Sequence, residues 1–156
     1  GGDTLFADMY AAYDTLDADT KDLIAPLTAT HLWHKMKSPE RIAELDEEQR
    51  VRLQGAIHPV VRIHPKSGKK ALFINEGFTT KINNLPDDEA ETLLDQLCKH
   101  CVQPEFQYHH QWQPGDLVIW DHRCMVHSAT YYNPDQRRTL YRTSIKGEPC
   151  IPIREG

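Results

Sequence analysis

The fold is decided by residues 120–142, WDHRCMVHSATYYNPDQRRTLYR. His127 stands at the end of a strand-like apolar run, and Arg138 and Arg142 follow it, four residues apart. Because residues four apart share one face of a strand, the pattern predicts two guanidinium groups on the same face. Two buried guanidinium groups need an anion between them, and arginine suits bidentate contacts with carboxylates or sulfonates. The stretch therefore predicts a metal-ligand candidate, His127, beside an anion site, although a histidine at such a position is often only structural.

Strand-like segments surround this stretch. Residues 58–78 form a predicted hairpin, HPVVRIHP and ALFINEGF joined by the turn KSGKK. Residues 105–112 (EFQYHHQW), 117–129 (LVIWDHRCMVHSA) and 137–147 (RRTLYRTSIKG) are further predicted strands, rich in aromatic and β-branched residues. Short strands without alternating βα units favour an antiparallel sandwich or jelly roll over a parallel sheet.

Helical patterns flank the strands. A strand at LFADM leads into a helix whose N-cap is Asp8, and a second short helix is expected after Asp19. Pro86 opens a third helix, with acidic residues in its first turn and Lys99 near its end, an order that suits the helix dipole. Residues 27–35 alternate as in a strand, and residues 39–54 are expected to form a charged surface helix or a mobile excursion that could cover a site.

The composition is that of an ordinary globular domain. The 156 residues suit a single domain, residues 1–156, with 39% apolar and 26% charged residues of mixed sign. A net charge of −5 argues against nucleic-acid binding. No apolar run reaches membrane-spanning length and no signal-peptide pattern is present, so we expect a soluble cytoplasmic protein.

Two of the four cysteines form the motif CKHC, at Cys98 and Cys101. Their spacing of three places both on one face of the third helix, and no second CxxC pair accompanies them. Buried or half-buried helix cysteines are therefore favoured over a zinc site.

Three blocks of the sequence carry a family resemblance: GGDTLFADMYAAYDTL, HPVVRIHPKSGKKALFINEGFTTKI and WQPGDLVIWDHRCMVHSATYYNPDQRRTLYRTSIKG. In order and spacing they resemble the TauD/TfdA family, the taurine-dioxygenase-like oxygenases that depend on Fe(II) and 2-oxoglutarate. The resemblance implies a mainly β protein with flanking helices, a double-stranded β-helix or jelly roll. It also implies iron held by a 2-His-1-carboxylate facial triad.

The resemblance also implies roles for particular residues. His127 matches the distal histidine ligand of iron, and Arg138 and Thr4 match the pair that holds the C5 carboxylate of 2-oxoglutarate. Arg142 matches an arginine near both the co-substrate and the anionic head of the prime substrate. Phe78, in NEGFTT, matches a position that lines the substrate pocket, although a phenylalanine there could equally belong to the core.

One departure from the family pattern stands out. The family takes its first two iron ligands from an H-x-D or H-x-E motif, and none of the nine histidines has Asp or Glu two residues on. The motif's expected place lies before Gly1, so the jelly roll is expected to be incomplete at the N-terminus, the chain being the C-terminal portion of a longer enzyme. His122 is expected either to contact the ligand residues without binding the metal or to be structural, and Asp121 is expected to bond across the strands or to a ligand residue. Trp112 and Trp120 are expected in the core.

The expected function is hydroxylation of a small anionic substrate with 2-oxoglutarate and O₂ as co-substrates. The NEGFTTKI run resembles the taurine-type branch, which favours a sulfonate and release of sulfite; alkyl sulfates and small carboxylates remain alternatives. A non-catalytic anion-binding or assembly module, or a cupin-like metal protein without 2-oxoglutarate, is a rival from another class. Neither nucleic acid nor a membrane is an expected partner, and a homo-oligomer is compatible with the sequence.

Overall fold

The computed structural model describes residues 1–32 and 55–153. These residues form nine strands, three α-helices and one 3₁₀ turn at Pro104–Phe106. The strands are β1 (Thr4–Asp8), β2 (Thr28–His31), β3 (Ala56–Pro59), β4 (Val61–Ile63), β5 (Lys70–Leu72), β6 (Thr79–Ile82), β7 (Gln107–His110), β8 (Met125–Ala129) and β9 (Ile151–Pro152). The helices are α1 (Met9–Asp14), α2 (Ala18–Ile24) and α3 (Asp87–Cys101).

The strands form three antiparallel sheets of three strands each within the described ranges. Their orders are β7–β1–β8, β3–β2–β6 and β5–β4–β9. The neighbours β1 and β8 are far apart in sequence, and their pairing brings the start of the chain against the strand that contains His127. The expectation of a mainly β protein with helices is confirmed.

The start of the chain folds as its sequence predicts. Asp8 ends β1 and caps α1, because its carboxylate accepts hydrogen bonds from the backbone N–H groups of Tyr10 and Ala11. The second helix begins earlier than predicted, since Asp17 rather than Asp19 is its cap and accepts from the N–H of Thr20.

The predicted hairpin is formed by β4 and β5. Its turn contains Gly68 at a φ of +71°, a backbone conformation that a side chain would strain. His64 closes the turn, because its Nδ1 accepts hydrogen bonds from the backbone N–H groups of Lys66 and Ser67. The preceding strand, β3, pairs instead with β2.

The core lies between α1, α3 and the strands β4, β5 and β6. Its largest buried side chains include Met9, Leu72, Ile82 and Leu97. Cys101 is buried in the same cluster, and burial raises the pKa of its thiol to about 12. Cys98 is half-buried, so the two residues agree with the prediction of buried or half-buried helix cysteines.

Two predicted strands are wrong in whole or in part. Residues 137–147 form no strand, and in the segment 117–129 only Met125–Ala129 does. Leu117 and Ile119 are 85% and 86% exposed. The physical reason is that β-propensity alone does not make a strand: among the described residues, 117–124 and 137–147 are not paired with a neighbouring strand. The argument that strand parity places Arg138 and Arg142 on one face therefore fails.

Some expectations fall on residues 33–54, outside the described residues. These are the surface helix or cover at 39–54 and the second half of the strand at 27–35. Among the described helices, none is long and apolar enough to cross a membrane.

Candidate metal and anion site

One face of the β7–β1–β8 sheet gathers two of the candidate residues. Phe6 of β1 lies directly opposite His127 of β8, and Thr4 lies two residues before Phe6 on the same strand. Because side chains two apart in a strand point to the same side, Thr4, Phe6 and His127 share one face. Thr4 and Phe6 are buried, whereas His127 is exposed at the edge of the face.

Aromatic rings surround His127 on this face. The centre of its ring lies 6.1 Å from that of Phe6, 5.1 Å from Trp120 and 5.1 Å from His122. Packing among these rings lowers the pKa of His127, and His122 and Arg142 lower it further. The imidazole is therefore neutral near pH 7, the protonation state in which a histidine can bind a metal.

Arg142 reaches the same ring cluster. Its Nη2 lies 3.3 Å from Nε2 of His122, and its guanidinium carbon lies 5.8 Å from the centre of the Trp120 ring. The positive charge of Arg142 thus lies close to the rings around His127, where it can attract an anion bound beside that histidine.

Arg138 does not join this ring cluster, and its side chain contacts the first residues of the chain instead. Its Nη2 donates to the carbonyl oxygen of Gly2 at 2.6 Å, and its guanidinium carbon lies 5.4 Å from the centre of the Tyr132 ring. Gly2 has a φ of +80°, and a Cβ there would lie 2.9 Å from Nε of Arg138. Glycine is therefore required at position 2 for the close approach of Arg138.

Backbone pairing holds the GGDT segment against residues 130 and 131. The N–H of Gly2 donates to Tyr131 O at 3.1 Å, and the N–H of Thr130 donates to Asp3 O at 2.9 Å. Asp3 N–H in turn donates to the hydroxyl of Thr130 at 2.9 Å. Because Arg138 donates to the carbonyl oxygen of Gly2, its guanidinium group lies beside a residue two positions before Thr4 in the sequence.

Thr4 is held by a residue that the sequence placed in the core. The indole N–H of Trp112 donates to Thr4 Oγ1 at 2.9 Å. The hydroxyl proton of Thr4 remains free to donate to another acceptor, since the indole uses only an oxygen lone pair.

Phe78 lies outside this sheet, in the turn before β6. It precedes β6, its side chain is 37% exposed, and its backbone bonds to Asn75 Oδ1 and to the N–H of Leu32. Its role in a substrate pocket stays a prediction.

A second group of side chains that could bind a metal, the His64 group, already forms hydrogen bonds within the protein. His64, Asp121 and Cys124 have ligand atoms within 4.8 Å of one another. Arg123 donates to both oxygens of Asp121, and these bonds hold the pKa of that carboxyl well below its usual range. Because Nδ1 of His64 accepts two backbone N–H groups, its proton lies on Nε2, which donates to Asp121. The group is a structural brace between the β4–β5 hairpin and the segment leading to β8.

The described residues do not complete an iron site around His127. The neighbouring imidazole of His122 already accepts a hydrogen bond from Arg142. Within the described ranges, the single three-residue group of potential ligands is the His64 group, whose atoms bond to other residues. The sequence has no H-x-D or H-x-E pair among its nine histidines.

Two contacts with candidate site residues were not predicted from the sequence. Trp112 and Trp120 are half-buried, and they contact Thr4 and His127 rather than filling the core as predicted. A signal was present for Trp120, because it lies two residues before His122 and seven before His127 in one segment. Trp112 could be placed beside Thr4 only from the pairing of β7 with β1.

Comparisons with known proteins identify the family of the chain. A family model described as "Taurine catabolism dioxygenase TauD, TfdA family" matches residues 1–144. The (S)-phenoxypropionate/alpha-ketoglutarate-dioxygenase of Sphingobium herbicidovorans is 39% identical over 156 residues, which covers 96% of this chain and 54% of the relative. A putative alpha-ketoglutarate-dependent sulfonate dioxygenase of Schizosaccharomyces pombe is 37% identical over 151 residues, covering 95% of this chain and 38% of the relative.

A solved structure is similar over nearly the whole chain. The crystal structure of AAD-2 in complex with Mn(II) and N-oxalylglycine matches with a TM-score of 0.79 and 34% identity. The match covers 97% of this chain and 57% of that one. The chain thus spans about half the length of the relatives that it matches.

Proposed function

Because the chain belongs to the TauD/TfdA family of dioxygenases, we propose that it provides the anion-binding part of an Fe(II)- and 2-oxoglutarate-dependent dioxygenase. The substrate is a small anionic organic molecule. The three antiparallel sheets are part of a double-stranded β-helix, a proposal supported by the similarity to AAD-2.

The observation that carries this proposal is the pairing of β1 with β8. It sets Thr4 and His127 on one face of a sheet, with Arg142 held against the rings beside His127. A neutral imidazole, a buried hydroxyl and a guanidinium group near one another suit the binding of an anionic co-substrate next to a metal.

Each residue has a separate role in the proposal. His127 is one iron ligand, and Arg138 with Thr4 holds the C5 carboxylate of 2-oxoglutarate. The free hydroxyl proton of Thr4 and the unused N–H donors of Arg138 supply that contact. Arg142 binds the anionic head of the prime substrate, and Phe78 lines its pocket.

Bound iron and 2-oxoglutarate would supply the activation of O₂ that hydroxylates the substrate. The residues of this chain bind and orient the two anions and exclude water from one side of the site. His127 has to remain deprotonated to serve as a ligand, and its aromatic surroundings favour that state.

Among anionic substrates we propose a sulfonate such as taurine, with release of sulfite after hydroxylation of the carbon that bears the sulfonate. The NEGFTTKI run supports this class. The relatives are named for both phenoxy acids and sulfonates, so phenoxy acids, alkyl sulfates and other small carboxylates are the competing substrates.

The test is succinate formation by the full-length protein with Fe(II), 2-oxoglutarate and a panel of these acids. We expect turnover that depends on the added acid, and loss of turnover in His127→Ala. Sulfite release with taurine would support the sulfonate class, and turnover with phenoxy acids alone would overturn it.

A non-catalytic anion-binding module is the second candidate. The incomplete set of iron ligands among the described residues favours it. Binding of 2-oxoglutarate without Fe(II) dependence, together with no succinate from any acid, would replace the dioxygenase proposal with this one.

A further inference from the structure

Arg142 is held by two side chains from the segment that also carries His127. Its Nη2 lies 3.3 Å from Nε2 of His122, and its guanidinium group lies over the ring of Trp120. Because arginine has only N–H donors, Nε2 of His122 is the acceptor and the imidazole proton is on Nδ1. The bond therefore needs a neutral His122 in one tautomer.

His122 also contacts the rings around His127. Its ring centre lies 5.1 Å from that of His127 and 5.4 Å from that of Trp120, both in edge-to-face arrangements. One side chain thus contacts the guanidinium group, the indole below it and the candidate metal ligand. His122 therefore connects the position of Arg142 with that of His127.

The backbone does not fix the position of Arg142. Residues 137–147 have no regular secondary structure, and the side chain of Arg142 is otherwise exposed. A long arginine side chain on such a segment samples many rotamers unless other groups restrain it. The contacts with His122 and Trp120 are the restraints that the described residues provide.

We propose that His122 is a positioning residue for Arg142. By holding the guanidinium group, His122 sets its distance from His127, and this distance selects the length of the anionic substrate. This rests on the proposed function, because it takes Arg142 as the group that binds the substrate anion. A substrate whose anionic head and reacting carbon match that distance is favoured over a longer or shorter one.

Three variants of His122 test the proposal in the full-length protein. His122→Gln keeps an acceptor at the place of Nε2, His122→Asn moves the acceptor closer to the backbone, and His122→Ala removes it. We expect His122→Ala and His122→Asn to raise the KM for the prime substrate by about three- to tenfold, as for loss of one exposed hydrogen bond. His122→Gln should restore most of the loss, and the KM for 2-oxoglutarate should change less than that for the prime substrate.

The length preference is measured with 2-aminoethanesulfonate and 3-aminopropanesulfonate, or with the corresponding pair from whichever acid class is turned over. The ratio of kcat/KM for the two lengths should move toward one in His122→Ala and stay near the wild-type ratio in His122→Gln. An unchanged ratio in His122→Ala would overturn the selection of length.

A double-mutant cycle shows whether His122 acts through Arg142. His122→Ala should add little to the loss already caused by Arg142→Ala. Arg137→Ala is the matched control, since Arg137 is exposed and lies in the same segment. Equal effects of His122→Ala in the wild-type and Arg142→Ala backgrounds would contradict the proposal.

A measurement without turnover separates this inference from the proposed function. In ¹H–¹⁵N spectra, the indole N–H signal of Trp120, identified with Trp120→Phe, reports the guanidinium group above the ring. We expect it to shift in His122→Ala and in Arg142→Ala, and to stay near its wild-type position in His122→Gln. This pattern without turnover of any acid would uphold the positioning role and reject the dioxygenase, whereas an unmoved signal in His122→Ala would reject the positioning role.

Discussion

Phe6 and His127 face each other across the antiparallel β1–β8 pair, with ring centres 6.1 Å apart and ring planes inclined by 27°. Phe6 is 2% exposed and also contacts Trp120 edge-to-face at 5.3 Å. This buried ring therefore limits where the imidazole of His127 can point. The position of the candidate ligand depends on a core residue 121 positions earlier in the sequence.

The first prediction concerns this core residue. Phe6→Ala should lower the free energy of unfolding by about 3–5 kcal/mol, because it removes a buried ring and leaves a cavity between Tyr108, Trp120 and His127. Urea unfolding followed by circular dichroism measures the loss. Phe78→Ala, at a ring that is 37% exposed, should cost about 1 kcal/mol or less. Similar losses in the two variants would show that Phe6 does not organise this face.

Local signals in the sequence predicted much of the fold. Asp8 at the end of an apolar run, Gly68 in a turn and Pro86 before three acids each specify a cap, a turn or a helix start through nearby atoms. Residues 137–147 were predicted wrongly because a strand depends on a partner, and the partner is not encoded in the segment itself. The start of the second helix was predicted two residues too late for a different reason, since Asp17 and Asp19 are both suitable caps and the helix begins after Asp17.

The candidate site was predictable only in part. His127, Arg138 and Arg142 were selected as candidates because their spacing and residue types are unusual in one segment, and their roles stay predictions. The contacts that hold them, from His122, Gly2 and Trp120, depend on the pairing of β1 with β8 and on loop geometry. Such contacts join residues distant in sequence or lie outside any periodic pattern, so periodicity cannot reveal them.

The second prediction concerns the bond from Trp112 to Thr4. Thr4→Val and Trp112→Phe should each lower stability by about 1–2 kcal/mol, since each leaves one buried or half-buried polar atom without its partner. The double variant should cost less than the sum of the two. A double-mutant cycle by urea unfolding measures the coupling, and Thr4→Ser, which keeps the hydroxyl, is the control. Strict additivity would mean that the hydrogen bond contributes no coupling.

The third prediction uses the pH dependence of stability at His31. Burial, and then the nearby His58, lower the pKa of His31 to about 4. Between pH 6.5 and about 4 the unfolded chain therefore binds a proton that folded His31 does not, so stability should fall with pH in this window and stop falling from this source below it. His31→Gln should show a shallower fall between pH 6.5 and 4 in urea titrations at each pH. Parallel curves for the two proteins would contradict the lowered pKa.

The fourth prediction concerns Asp121 at lower pH. Its hydrogen bonds with Arg123, and then with His64, hold the pKa of its carboxyl below its usual range. Its contribution to stability is present above the unfolded pKa of about 3.9 and is lost as pH falls below that value. Asp121→Asn should be less stable than wild type at pH 7, and the difference should shrink toward pH 2. Asp95→Asn, at an exposed pair with Lys99, should change stability by about 0.5 kcal/mol or less at either pH.

The last prediction separates the two arginines in the full-length protein. Arg138→Ala should raise the dissociation constant of 2-oxoglutarate by at least about tenfold, because a carboxylate loses a bidentate partner worth about 1.4 kcal/mol or more. Arg138→Lys should restore only part of the affinity, since an ammonium group cannot make the two parallel bonds and cannot reproduce the contact with Gly2 O in the same geometry. Arg142→Ala should instead weaken binding of the prime substrate at least as much as binding of 2-oxoglutarate, because the guanidinium group of Arg142 lies with His122 and Trp120 rather than with the GGDT segment.

Anaerobic calorimetric titration of each variant with 2-oxoglutarate and with the prime substrate gives both dissociation constants, and Arg137→Ala serves as the control for loss of one positive charge. Equal losses for both ligands in both variants would reject the division of roles, and an unchanged 2-oxoglutarate affinity in Arg138→Ala would reject Arg138 as its carboxylate partner.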